Sequence, residues 1–193
     1  MSSKSTILNN LRKKVSKGSV TPDININGIR YDNIVDEFLD NLELVGGKSL
    51  QISTEQNINK LICEQFPSDN LSILSYDKSV QGNIDLEKIS SGHELESLDL
   101  TIIKGDFGVA ENGAIWLNPP EFKHRASLFI CQHLIILLEK NTLLNNMHEA
   151  YERIDFNAVE YGLFISGPSK TADIEQSLVI GAHGPRSCTV LLY

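Results

Sequence analysis

The run Leu134-Ile135-Ile136-Leu137-Leu138, bounded by Gln132 and Glu139, constrains the fold more than any other stretch of this chain. It is apolar at every position and has the length of a strand, so residues 132–139 read as a buried strand in a sheet covered by helices. The covering layers are legible elsewhere. Over residues 31–44, Ile34, Val35, Phe38, Leu39, Leu42 and Leu44 recur at helical spacing, and Gly46-Gly47 stops the helix. Further helices are expected over 5–15, 55–65, 143–154 and 173–180, and strands over 48–53, 71–75, 100–104, 107–110, 114–117, 161–166 and 188–193. Helices alternating with apolar strands predict one α/β domain, a Rossmann-like, mostly parallel sheet flanked by helices. The short strands between Leu100 and Leu117, punctuated by Gly105, Gly108 and Gly113, predict that it is mixed. Residues 1–30 read as an N-terminal helix and loop, and residues 31–193 as the domain.

Composition narrows the function classes. With 41% hydrophobic and 22% charged residues, the chain is of ordinary globular type, which leaves disordered and fibrous classes aside. No apolar run approaches the roughly 20 residues needed to cross a bilayer. The first 22 residues carry Lys4, Arg12, Lys13, Lys14 and Lys17 and no acid. That pattern fits a transit peptide or an amphipathic helix with Ile7, Leu8 and Leu11 on one face, and the helix is the preferred reading. A net charge of −8 argues against a nucleic-acid binder, while leaving room for a small anion held in a local positive field. Cys63, Cys131 and Cys188 are odd in number and far apart. They predict buried apolar thiols in a reducing, cytoplasmic setting, with no disulfide, structural zinc or iron–sulfur cluster on this chain.

Three segments carry chemistry. In Phe164-Ile165-Ser166-Gly167-Pro168-Ser169-Lys170-Thr171-Ala172-Asp173-Ile174-Glu175-Gln176, a strand meets a Gly-Pro turn, and hydroxyl and acidic residues then open a predicted helix. Such a turn presents backbone N–H groups to a carboxylate or phosphate, with Ser169, Lys170 and Thr171 as extra donors. The same residues also read as ordinary capping, with Asp173 three residues before Gln176. The second segment, Ile180-Gly181-Ala182-His183-Gly184-Pro185-Arg186, offers an imidazole for proton transfer and a planar fork for a carboxylate. In the third, Gly105-Asp106-Phe107-Gly108-Val109-Ala110-Glu111-Asn112-Gly113-Ala114, Asn112-Gly113 predicts a tight hairpin turn. That turn is expected to project Glu111 toward a cleft as base, nucleophile or orienting group. Lys123-His124-Arg125 forms a basic cluster that reads first as a solvated loop.

Residues 165–176, continuing through Leu178-Val179-Ile180-Gly181-Ala182-His183-Gly184-Pro185-Arg186, resemble the C-terminal signature of the LUD-domain family, in particular its lactate-utilisation members. Ala110-Glu111-Asn112-Gly113-Ala114 is similar to the family's Ala-Glu-Thr-Gly-Thr-like turn, and Ile7, Leu8, Leu11 and Arg12 resemble its opening helix. The resemblance is specific over residues 99–192.

It implies a fold like that of the sugar-phosphate isomerase and coenzyme A transferase group. It also implies a part in oxidising L-lactate to pyruvate beside partners that carry the iron–sulfur clusters. The site it implies has Glu111 and His183 handling protons. Gly167, Ser169, Lys170, Thr171, Asp173, Arg186, Asn112 and Gly113 would hold a small anion. Glu111-Asn112-Gly113 also looks like the turn whose glutamate is acylated in coenzyme A transferases, so acyl transfer is an alternative. A non-catalytic module that assembles the iron–sulfur partners is another. Asn112 and Ala114 replace hydroxyl residues common in the family, and Lys170 replaces a common arginine.

Overall fold

The computed structural model of the chain describes residues 3–14, 27–53, 58–67, 70–118, 124–172 and 178–193. Its centre is a five-stranded sheet built from β1 (Lys48–Gln51), β2 (Ile73–Ser75), β3 (Leu100–Lys104), β6 (His133–Leu138) and β10 (Ser187–Leu192). The strand order is β1-β10-β6-β3-β2, and every pairing is parallel. Alternation along β6 explains its apolar run. Leu134, Ile136 and Leu138 enter one core with Cys188, Val190, Phe38 and Leu42, while Ile135 and Leu137 enter a second with Ile102, Leu191, Ile58 and Ile62. Both faces are dry, so no position from Leu134 to Leu138 suits a polar residue.

The two cores are closed by helices whose sequence fits the task. In α2 (Ile34–Leu44), Phe38 and Leu42 lie one turn apart on the buried stripe, and the Asn33 side chain accepts the Asp36 N–H as N-cap. In α3 (Ile58–Gln65), Ile58 and Ile62 do the same on the opposite face of the sheet. A short α4 (Ser127–Ile130) delivers the chain to β6. The N-terminal helix α1 (Ser3–Lys14) buries none of its residues, and Ile7, Leu8 and Leu11 are exposed.

The antiparallel strands expected to make one mixed sheet form a separate second sheet, and the central sheet flanked by helices is wholly parallel. β4 (Phe107–Val109), β5 (Ala114–Leu117) and β7 (Leu163–Ile165) pair antiparallel in the order β4-β5-β7. Phe107, Trp116 and Phe164 form its aromatic core, against Ala150 of α5 (Met147–Arg153) and Ile154 just beyond it. Gly105 joins the two sheets: a side chain there would meet Ile115 at 2.6 Å.

Four further expectations need correction. Residues 178–180 are not helical: β9 (Leu178–Ile180) pairs antiparallel with β8 (Lys170–Ala172), with Lys170 opposite Ile180. The remainder of that expected helix, 173–177, lies outside the described residues. The helix expected from residue 143 starts only at Met147, because Leu144 is drawn into strand-like bonds with Gly108 and Ala110, and Asn146 then caps α5. The helix expected from residue 31 likewise starts at Ile34, at the Asn33 cap. Of the cysteines, Cys131 and Cys188 are buried, but Cys63 is exposed on α3.

Candidate functional site

The glycine-bearing turns converge at the end of α2. Gly113 takes φ +64° at the tip of the β4–β5 hairpin, and a Cβ there would strike the Leu42 backbone at 2.8 Å. Gly167 takes φ +72°, and its missing side chain leaves room for the Val45 carbonyl, which would lie 2.6 Å from a Cβ. Only glycine meets both demands, positive φ and backbone at contact distance. The Ser166 hydroxyl donates to the Asn112 carbonyl at 2.8 Å, which ties the two turns together.

The 181–186 loop is tied to the same place by backbone. Ser169 N–H donates to the Pro185 carbonyl at 2.9 Å, and Gly181 N–H donates to the Ser169 carbonyl at 3.0 Å. Gly184 lies so close that a Cβ there would sit 3.0 Å from the Ser169 Oγ. Ser169 and His183 thereby line one cavity of about 240 Å³, with Gly167, Phe129, Phe164 and Pro185 among its walls. The arrangement differs from the expected one: antiparallel strands, not a helix N-terminus, follow the turn through residue 172.

The other predicted residues are dispersed around this cavity. Arg186 is exposed, and its stem covers Gly181. Its backbone N–H donates to the Gln132 carbonyl, and its charge bears on His133. Burial chiefly holds the His133 imidazole below the usual histidine range, with Arg186 and Lys48 adding to the effect and Asp99 opposing it. Lys170 is exposed and its stem lies 3.6 Å from where a Gly46 Cβ would be. Thr171 lies mid-strand in β8, half-buried. Asp173 and Lys123 lie outside the described residues. The Asn112 side chain accepts the Ala114 N–H at 3.0 Å, closing its own turn. Glu111 is exposed and its carboxylate accepts the Met147 N–H at 3.0 Å, at the first turn of α5. The Glu111 and Glu37 carboxylates also raise the Tyr31 hydroxyl, after desolvation, which is the larger cause. Of the basic cluster, His124 meets the Ile89 carbonyl and Arg125 stacks on Tyr161 at 4.1 Å.

A larger cavity, about 460 Å³, opens at the other end of the sheet. Lys104 ends β3 and Glu139 succeeds β6; both line it with Asp106, Phe107, Trp116 and Arg153. Lys104 pairs with Glu139 at 2.7 Å and lies 5.8 Å from the Tyr193 ring centre. Hydrogen bonds to Glu139 and Tyr193 push the Lys104 ammonium well above the usual lysine range. The Asp106 residue is exposed, yet crowding around its carboxyl raises it above the ordinary value, while Arg153 and Lys104 pull it back. Of these side chains, Asp106 and Phe107 fall within the third segment singled out in the sequence, where the expectation concerned the turn at Glu111-Asn112-Gly113; Lys104, Trp116, Glu139 and Arg153 belong to none of the three segments. The available signal was a charged residue closing each of two apolar strands, Lys104 after Leu100–Ile103 and Glu139 after Leu134–Leu138.

The LUD domain profile matches residues 85–193, which include every residue that lines the two cavities. The chain belongs to the LUD-domain family. Among relatives of this LUD-domain chain, the lactate utilization protein C of Geobacillus sp. strain WCH70 is 30% identical over 146 residues, 72% of this chain and 57% of that protein. The protein of the same name from Bacillus pumilus is 36% identical over 104 residues, 50% of this chain and 43% of its own length. The chain thus spans about half the length of the curated relatives it matches. A crystal structure of a DUF162 family protein from Deinococcus radiodurans shares the fold. It superposes with a TM-score of 0.63 at 16% identity, over 82% of this chain and 95% of that one. Among the described residues, no helix is long and apolar enough to cross a membrane, and no group of three or more His, Cys, Asp or Glu is placed to hold a metal ion.

Proposed function

We propose that this LUD-domain chain is a component of an L-lactate utilisation system that holds a small anionic ligand at the Ser169–His183 cavity. In this reading it acts beside partner proteins that carry the iron–sulfur clusters. One observation carries it: the family's matched region folds so that the two signature segments, around Ser169 and around His183, are cross-bonded through backbone and share one cavity. Similarity to proteins named for lactate utilisation supplies the substrate class. The Ser169 hydroxyl is the anion donor and His183 the proton-handling group. Arg186 supplies long-range positive charge at the same end of the sheet.

Assignment of the redox centres to partners is supported by the thiols. Cys131 and Cys188 are buried, where desolvation raises their thiols to about 11 and about 12, and Cys63 is exposed on α3. The three lie far apart in sequence, unlike the closely spaced cysteines that hold iron–sulfur clusters. Glu111 is assigned to building the site, since its carboxylate is engaged at the start of α5.

The test is lactate-dependent dye reduction by the iron–sulfur proteins encoded beside this chain, with and without it. The expected result is a requirement for the chain, with Ser169→Ala and His183→Ala lowering activity by about tenfold or more. Unchanged activity without the chain would refute the reading. The acyl-transfer alternative predicts an adduct on Glu111 after incubation with an acyl-coenzyme A, read by mass spectrometry.

A further inference from the structure

We propose that the cavity at the carboxyl ends of β3 and β6 is a second, separate ligand site, which binds an organic monoacid with an apolar body. The carboxylate lies on Arg153, and the body lies against Phe107 and Trp116. This inference does not rest on the lactate reading.

Position is the first support. In open α/β sheets, ligands settle outside the carboxyl ends of the parallel strands, and this cavity is bounded by Lys104 at the end of β3 and Glu139 just after β6. Its volume, about 460 Å³, falls in the range of sites for small organic ligands.

The cations decide the head group. Lys104 is committed to Glu139 at 2.7 Å. Arg153 lines the same cavity, and among the described residues no carboxylate lies within ion-pair distance of it. Its guanidinium stands over the Phe107 ring, 5.3 Å from the centroid. A planar cation with one face on a ring keeps its N–H edges for a planar, two-oxygen acceptor, which is a carboxylate.

The remaining walls decide the rest of the ligand. Phe107 and Trp116 stack with centroids 6.3 Å apart, and Ile154, Ala158 and Val159 extend the apolar lining. Asp106, Glu139 and Asp155 place three carboxyl groups against two cations. With Lys104 held by Glu139, Arg153 can offset one carboxylate, and the lining carboxyl groups repel a second.

The chain carries a reporter for this site, because Trp116 is its one tryptophan. The probe is 4-methylpentanoate, titrated against tryptophan fluorescence of the full chain, with 4-methylpentanamide, succinate and L-lactate as comparisons. A saturable change is expected with 4-methylpentanoate, and weaker binding by about tenfold for each comparison. Arg153→Gln should weaken the acid by about tenfold and leave the amide unchanged, while Arg153→Lys, which keeps charge without the fork, should fall between. Arg153 is exposed, so these variants fold, as thermal melting will show. No saturable change, equal binding of acid and amide, or a response lost in His183→Ala but kept in Arg153→Gln would overturn the proposal. The last outcome would move the ligand to the other end of the sheet. Because no partner protein or lactate turnover enters the measurement, its failure is independent of failure in the dye-reduction assay.

Discussion

The two ends of the parallel sheet are built by different means. At the amino ends of β6 and β10, the cavity is shaped by backbone: glycines at positive φ, carbonyls at contact distance and main-chain bonds between Ser169, Gly181 and Pro185. At the carboxyl ends it is shaped by side chains from well-separated segments, Lys104, Asp106, Trp116, Glu139 and Arg153. Backbone-built sites need particular residues at consecutive positions, and they show up as motifs. Side-chain-built sites need only the topology that gathers them, so local sequence says little about them.

The largest perturbation should erase the difference. Ile136 is fully buried at the centre of β6, which supports both ends, and Ile136→Ala should cost about 2–5 kcal/mol. Denaturant unfolding curves from Trp116 fluorescence and from circular dichroism should shift together; a split transition would show that the ends are separately stable. Gly167→Ala should act at the amino end alone. It forces a side chain into positive φ against the Val45 carbonyl, at about 1–3 kcal/mol, and should leave binding of 4-methylpentanoate untouched. Glu111→Ala removes the acceptor of the Met147 N–H, at about 1 kcal/mol, whereas Glu111→Gln keeps an acceptor and should restore most of that loss. Equal melting temperatures for the two variants would show that the bond is idle.

The smallest effect sharpens the carboxyl end. Folding raises the Asp106 carboxyl above its ordinary value, so the folded state binds that proton more tightly than the unfolded chain does. Asp106 therefore weakens the fold at neutral pH, and stability is regained as pH falls through the raised value toward the ordinary one. Asp106→Asn should flatten the stability-versus-pH curve in that window and raise stability slightly above it. A variant that loses stability at neutral pH would mean that Arg153 and Lys104 outweigh burial at this carboxyl.

The same contrast explains which features were legible in the sequence. The five apolar or half-apolar strands, α2 with its Gly46-Gly47 stop and the turn at Asn112-Gly113 all arise from local pattern, and all are present. The helix expected over 173–180 fails at its end for a non-local reason. The spacing of Asp173 and Gln176 resembles a helix cap, but Lys170, Thr171 and Ala172 find partners in Ile180, Val179 and Leu178, and pairing outweighs local preference. The late start of α5 has a similar cause, since Leu144 bonds to Gly108 before the helix begins. In the candidate site, proximity of Ser169 and His183 comes from the adjacent motifs. The outward course of Arg186 and the engagement of Glu111 by α5 depend on how distant segments dock.

The position of β10 has a consequence for how the chain comes off the ribosome. β1 forms near the start of the domain, yet its neighbour in the sheet is β10, with Lys48 opposite Thr189, and β6 waits for the same strand on that side. Until Ser187–Leu192 emerges, the facing edges of β1 and of the apolar β6 stand unpaired in the nascent polypeptide, and contacts this far apart in sequence close slowly. Synthesis stalled or truncated ahead of Ser187 should therefore yield an aggregation-prone intermediate that depends on chaperones, and supplying β10 as a separate peptide should rescue it.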